Sequence, residues 1–124
     1  MNTRSEGENP IRVMIVDDHK SILWGLERLV ESASPRMVVT GTAASCAEML
    51  SVVVTAKPDV ILLDLDLDGQ NSADSLPDLL RLTHAQVLIL TGGRDFAFHQ
   101  AALMKGARGV IGKDENADVL LLAI

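Results

Sequence analysis

The sequence predicts an α/β fold, a doubly wound sheet of five parallel strands with helices on both faces. Three observations predict it. Short β-branched runs alternate with longer stretches of helical periodicity, the pattern of successive βα units. Several of those runs are apolar without a break, as strands covered on both faces must be. Apolar residues make up 48% of the 124, while aromatics are confined to Trp24, Phe96 and Phe98, so the chain has material for one compact aliphatic core.

Residues 1–10 are polar, contain Gly7 and Pro10, and read as a disordered leader; the folded domain is expected over 11–124. Strands are expected at 11–16, 37–42, 60–64, 87–91 and 109–112, and helices at 20–31, 47–56, 76–82, 96–105 and from 116 onward. The first, third and fourth strands are nearly continuous apolar runs and belong at the centre of the sheet. In the first helix Ile22, Leu23, Leu26, Leu29 and Val30 recur at the spacing of one face. Lys105-Gly106 reads as a helix end closed by glycine, and Asp114 as a cap for the last helix, with Glu115 and Asp118 favouring its dipole. The apolar run 119–124 meets no stop signal, so the last helix is expected to be truncated and the chain to be part of a longer protein.

A formal charge of −6 argues against nucleic acid as a direct ligand of this domain, since phosphates reward clustered Lys and Arg. No apolar run is long enough to span a bilayer and the polar start lacks the core of a signal peptide, so a cytoplasmic domain without membrane contact is expected. Cys46, the single cysteine, reads as a small core residue.

The residues with chemistry lie where strands finish: Asp17-Asp18 after the first, Asp64 at the end of the third, Thr91 at the end of the fourth and Lys113 after the fifth. In an open parallel sheet the carboxyl edge is where ligands bind, so these residues converge on one cleft. Carboxylates gathered there repel one another unless a cation intervenes, and their hard oxygens suit Mg²⁺. An acidic pocket with Mg²⁺, one lysine and one hydroxyl has the parts to handle a phosphoryl group, with a carboxylate as nucleophile and an aspartyl phosphate as product.

The segments Val16-Asp17-Asp18-His19, 58–65, Leu90-Thr91-Gly92, and 105–109 through Lys113-Asp114 resemble response-regulator receiver domains over nearly everything after Pro10. The Asp-Asp-His opening, Gly25-Leu26 and the Lys113-Asp114 pair are similar to the NarL/FixJ (LuxR-type) subfamily of two-component systems. The resemblance implies a flavodoxin-like (CheY-like) strand order, 2-1-3-4-5. It implies that Asp64 is the phosphoacceptor, that Asp18 binds Mg²⁺ directly and Asp17 through water, and that the backbone carbonyl of Asp66 completes the protein's ligands. Thr91 and Lys113 would contact the phosphoryl group, with small Gly92 leaving the mouth open. It further implies a sensor histidine kinase as donor and a C-terminal helix-turn-helix output domain as the route to DNA and transcription regulation. Homodimerisation on phosphorylation and no catalysis beyond self-phosphorylation and autodephosphorylation complete the expectation.

The sequence departs from the family at three places. Val110 stands where an aromatic is usual, Gly112 replaces a bulkier apolar residue before Lys113, and the acidic loop 65–75 is longer than the usual short turn. These departures motivate the alternative of a degenerate or stand-alone receiver acting as a protein-interaction module. A second alternative is an Mg²⁺-dependent aspartyl-phosphate phosphatase, since Asp66-Leu67-Asp68-Gly69 is similar to the haloacid-dehalogenase nucleophile motif; that motif normally opens its fold, whereas here two βα units precede it. An EF-hand loop from Asp64 fails at its twelfth position, Ser75, and a dinucleotide site fails because carboxylates replace the glycines after the first strand. His19 reads as a surface residue at a helix start rather than a ligand, His84 and His99 as solvated, and Trp24 equally as an interface anchor or as partly covered by the leader.

Overall fold

A computed structural model of the chain describes residues 9–92, 96–114 and 117–124. Five parallel strands, β1 (Ile11–Val16), β2 (Met37–Ala43), β3 (Val60–Asp64), β4 (Gln86–Thr91) and β5 (Gly109–Gly112), form one sheet in the order β2-β1-β3-β4-β5. The connecting helices are α1 (Lys20–Glu31), α2 (Cys46–Ala56), α3 (Leu76–Leu82), α4 (Phe96–Met104) and α5 (Ala117–Ala123).

The unbroken apolar strands are the buried ones: every residue of β3 is buried, as are the last four of β1 and the last five of β4, while β5 at the edge is half-buried. Alternate residues enter two cores. Met14, Val16, Ile61, Leu63, Val87 and Ile89 pack with Met49, Val53, Leu79 and Ala102 of α2, α3 and α4. Val13, Ile15, Leu62, Leu88 and Leu90 pack on the other face with Val30, Leu26 and Leu120 of α1 and α5. Burial on both faces fixes each strand's register, because a slip of one residue would exchange the two sets.

Element ends differ from the expected ones by one residue, for local reasons. The Ser45 hydroxyl accepts the Glu48 N–H at 3.1 Å, so α2 starts at Cys46, which is half-buried against the first core rather than fully inside it. Helix α4 stops at Met104 because Gly106 takes a φ of 114° and the turn closes through the Ala107 N–H to the Ala102 carbonyl. Residues 1–8 of the expected leader 1–10 lie outside the described residues, as do residues 115 and 116, which stand between Asp114, the expected cap, and Ala117 of α5. Trp24 is 62% exposed on α1, with the Arg28 guanidinium 4.9 Å from the centre of its ring. His84 is exposed as expected, but His99 is half-buried.

The largest local departure follows β3. The acidic loop folds into a small antiparallel hairpin, Asp66–Leu67 against Gln70–Asn71, turned by Asp68 (φ 53°) and Gly69 (φ 76°). Two consecutive left-handed residues make the tight hairpin turn that an Asp-Gly pair favours. One 3₁₀ turn, Ser72–Ser75, then leads into α3, started by the Asn71 side chain accepting the Ala73 N–H at 3.0 Å. Fully buried Leu67 and Ala73 pin the segment to the core, and the Ser72 hydroxyl donates to the Asp64 carbonyl. Asp66 and Asp68 are both exposed, with Asp66 at the edge of the sheet's carboxyl end. Among the described residues no helix is long and apolar enough to cross a membrane.

Candidate functional site

Topology brings the carboxyl ends of β1, β3, β4 and β5 to one edge of the sheet, and a cleft of ≈ 390 Å³ opens there among His19, Asp64, Asp66, Thr91, Gly92 and Lys113. Asp17, Asp64 and Thr91 are buried, at 1%, 2% and 6% exposure, and the Asp18 side chain is half-buried. The cleft is therefore a charged pocket in the end of an aliphatic core.

Lys113 is held in place by its backbone N–H, which donates to the Thr91 carbonyl at 2.8 Å. Its ammonium reaches Asp64 Oδ1 at 3.0 Å and Asp17 Oδ2 at 3.2 Å. One cation thus serves two buried carboxylates. Burial pushes the Asp64 carboxyl above the usual carboxylate range; its bond to Lys113 opposes the rise and the neighbouring Asp17 charge adds to it. Burial pulls the Lys113 ammonium down, but its bonds to Asp64 and Asp17 outweigh that pull and its pKa stands above the ordinary value.

Asp17 is fixed from its other side, where Oδ1 accepts the His19 N–H at 2.9 Å. The His19 ring follows, with Nδ1 at 3.2 Å from Asp17 Oδ1 and 3.3 Å from Asp18 Oδ1. Asp18 Oδ2 accepts the backbone N–H of Asp68 at 3.2 Å, so the hairpin touches the site with its backbone. At the mouth, a side chain added at Gly92 would meet no atom within 4 Å among the described residues.

The structure brings Asp17, Asp18, Asp64, Thr91 and Lys113 together, with Asp66 on the rim of the same cleft. Ligand atoms of Asp17, Asp18, His19 and Asp64 all lie within 4.8 Å of one another, and among the described residues the buried Asp64 Oδ2 has no hydrogen-bond partner. A buried carboxylate oxygen lacking a donor is costly, and a hard cation removes that cost, so the residues present fit a divalent metal. Three contacts escape sequence reasoning: the His19 ring, the Asp68 N–H and the Ser72 hydroxyl. The position of His19 directly after Asp17-Asp18 at a helix start was the available signal for the first, and the Asp-Gly pair for the second.

The response regulator receiver domain family matches residues 13–124. Among curated proteins, the DNA-binding transcriptional activator DevR/DosR of Mycobacterium tuberculosis is 37% identical over 115 residues, covering 92% of this chain and 52% of that protein. The nitrate/nitrite response regulator NarP of Escherichia coli is 37% identical over 116 residues, covering 93% and 54%. The chain thus spans about half the length of the curated relatives it matches. Among solved structures, the receiver domain of a NarL response regulator from Mycobacterium tuberculosis superposes with a TM-score of 0.83 at 29% identity, covering 92% of both chains. A response regulator from Burkholderia pseudomallei carrying a phosphorylated aspartic acid and a calcium ion superposes at 0.82 with 26% identity, covering 90% of this chain and 65% of that one. With its sheet order, its acidic edge and these relatives in agreement, the chain belongs to the response regulator receiver domain family, in the company of NarL/LuxR-type two-component regulators.

Proposed function

We propose that this chain is a phosphorylation switch in which Asp64 accepts a phosphoryl group from the phosphohistidine of a sensor histidine kinase. The observation that carries this reading is Asp64 itself: a buried carboxylate with Oδ1 held by Lys113 at 3.0 Å, Oδ2 without a hydrogen-bond partner among the described residues, and an open cleft in front of it. In the transfer, a carboxylate oxygen of Asp64 forms the new O–P bond as the N–P bond of the donor breaks, and the imidazole leaves with the electron pair and is protonated. The phosphorylated aspartate in the Burkholderia neighbour supports the same chemistry here.

Asp17, Asp18, Asp64 and the Asp66 carbonyl would hold Mg²⁺, which when bound neutralises the phosphoryl oxygens and the crowded carboxylates. Lys113 orients Asp64 before transfer and pairs with the phosphoryl group after it. Thr91, on the neighbouring strand, supplies the hydroxyl that meets a new phosphoryl oxygen, and its shift moves the surface of α4 and β5. With Val110 half-buried against the core, no aromatic side chain is available at that position to report the shift, so the readout runs through the backbone after β4. On this reading the protein works in the cytoplasm, its phosphorylated copies pair, and a C-terminal domain of the longer protein carries the state to DNA; the name of the DNA-binding transcriptional activator DevR/DosR supports the last of these.

The test is Mg²⁺-dependent modification by acetyl phosphate or beryllofluoride, read by intact mass or fluorine NMR. Stoichiometric modification that disappears in Asp64→Asn is expected. Absence of modification with metal demonstrably bound would instead establish the second reading, a receiver that works as an interaction module, which Val110 and Gly112 favour.

A further inference from the structure

We propose that His19 is a metal ligand, and that it makes the acidic centre a site for a borderline divalent ion such as Co²⁺ or Zn²⁺ as well as for Mg²⁺. The inference rests on the metal-binding reading of the same centre and adds to it a nitrogen donor.

Four observations carry it. First, the His19 Nδ1 stands 3.2 Å from Asp17 Oδ1 and 3.3 Å from Asp18 Oδ1. Donors sharing one ion at the usual 2.0–2.2 Å stand about 3.0–3.5 Å apart in octahedral or tetrahedral arrangements, so these separations are edges of a coordination polyhedron. Second, Asp64 belongs to the same group of mutually close donors and has a buried oxygen with no partner among the described residues. Third, Lys113 occupies Asp17 Oδ2 and Asp64 Oδ1, which leaves Asp17 Oδ1 to the His19 side of the cluster. Fourth, His19 is the N-cap residue of α1 but makes no side-chain capping bond, and its ring is 61% exposed, so coordination replaces only its own hydrogen bond to Asp17 Oδ1.

The chemistry then separates the ions. Mg²⁺ takes oxygen and water and gains little from an imidazole, whereas Co²⁺, Ni²⁺ and Zn²⁺ bind imidazole strongly. A site with carboxylates alone would show a smaller preference between the two classes than this one. Because the borderline ion shares Asp17, Asp18 and Asp64 with Mg²⁺, the two compete.

The experiment is calorimetric titration of the chain with Co²⁺ and, separately, with Mg²⁺, alongside the visible absorption of the Co²⁺ form, for the unchanged protein and for His19→Ala and His19→Asn. Asparagine retains a side chain that can hydrogen-bond Asp17 but lacks the imidazole. Both variants are expected to lose Co²⁺ affinity by about tenfold or more and to change the Co²⁺ spectrum, with Mg²⁺ affinity within about twofold of the unchanged protein. Unaltered Co²⁺ affinity, equal loss for both ions, or full recovery in His19→Asn would overturn the assignment. Binding of Co²⁺ through His19 without any binding of Mg²⁺ would refute the magnesium reading and leave the ligand role of His19 standing.

Discussion

The two edges of the sheet handle charge in opposite ways. At the amino edge, the Arg12 guanidinium donates to the carbonyls of Ala56 at 2.9 Å and Lys57 at 3.0 Å, closing the end of α2, while its backbone N–H donates to Asp59 Oδ2 at 2.9 Å. Each of these groups has a partner, near solvent. At the carboxyl edge, Asp17 and Asp64 share one lysine beside Asp18, and among the described residues Asp64 Oδ2 is buried without a donor. The first arrangement finishes itself within the fold; the second is completed only by something that binds. An unfinished charge balance inside a well-packed core is the structural mark of the site, and a cleft alone is not: the amino edge also carries one, of ≈ 680 Å³, without such a cluster.

Substitutions at the two edges sharpen this contrast. The largest effect is expected at Lys113→Ala, which takes from two buried carboxylates the lysine they share; metal-free stability should fall by about 3 kcal/mol in chemical denaturation, with Mg²⁺ restoring more of it than it adds to the unchanged protein. The opposite sign is expected at Asp64→Asn. The carboxyl of Asp64 stands above its ordinary 3.8, so between that value and the raised one the folded chain holds a proton that the unfolded chain has lost, and stability falls as pH rises through this window. Asparagine removes the penalty: the metal-free variant should be more stable by about 1 kcal/mol at neutral pH, a rise of roughly 3–6 °C in unfolding midpoint, with the difference shrinking as pH falls through the window. An unchanged or lower midpoint would mean that the centre is not strained.

At the amino edge, Arg12→Ala should cost about 1 kcal/mol, the worth of its bonds to the α2 carbonyls, and the loss should be the same with and without Mg²⁺. Smallest of all, Asp66→Asn and Asp68→Asn should each shift stability by less than about 0.5 kcal/mol, since both side chains are exposed and Asp68 meets the site through its backbone. A large gain in either would show that the hairpin's charge crowds the centre.

The fold was legible because its signal is physical and long. Strands buried on both faces must be apolar throughout, and Val60 to Leu63 or Val87 to Leu90 admit no other reading once helices flank them. The convergence of Asp17, Asp18, Asp64, Thr91 and Lys113 followed from strand ends sharing one edge. What escaped was set by one or two dihedral angles. The hairpin depends on left-handed Asp68 and Gly69 joining strands of only two residues each, too short for any periodicity. The approach of the His19 ring to the carboxylates depends on the extended conformation of that residue at the start of α1, and spacing alone does not reveal it.

The bare mouth at Gly92 has a consequence in time. With no side chain there to shield Asp64, the opening that admits a donor admits water as readily, so on the proposed chemistry the chain keeps a brief memory of its last signal. Position 92 then acts as the dial of a clock, and the duration of the response is set by how much of that doorway a residue fills.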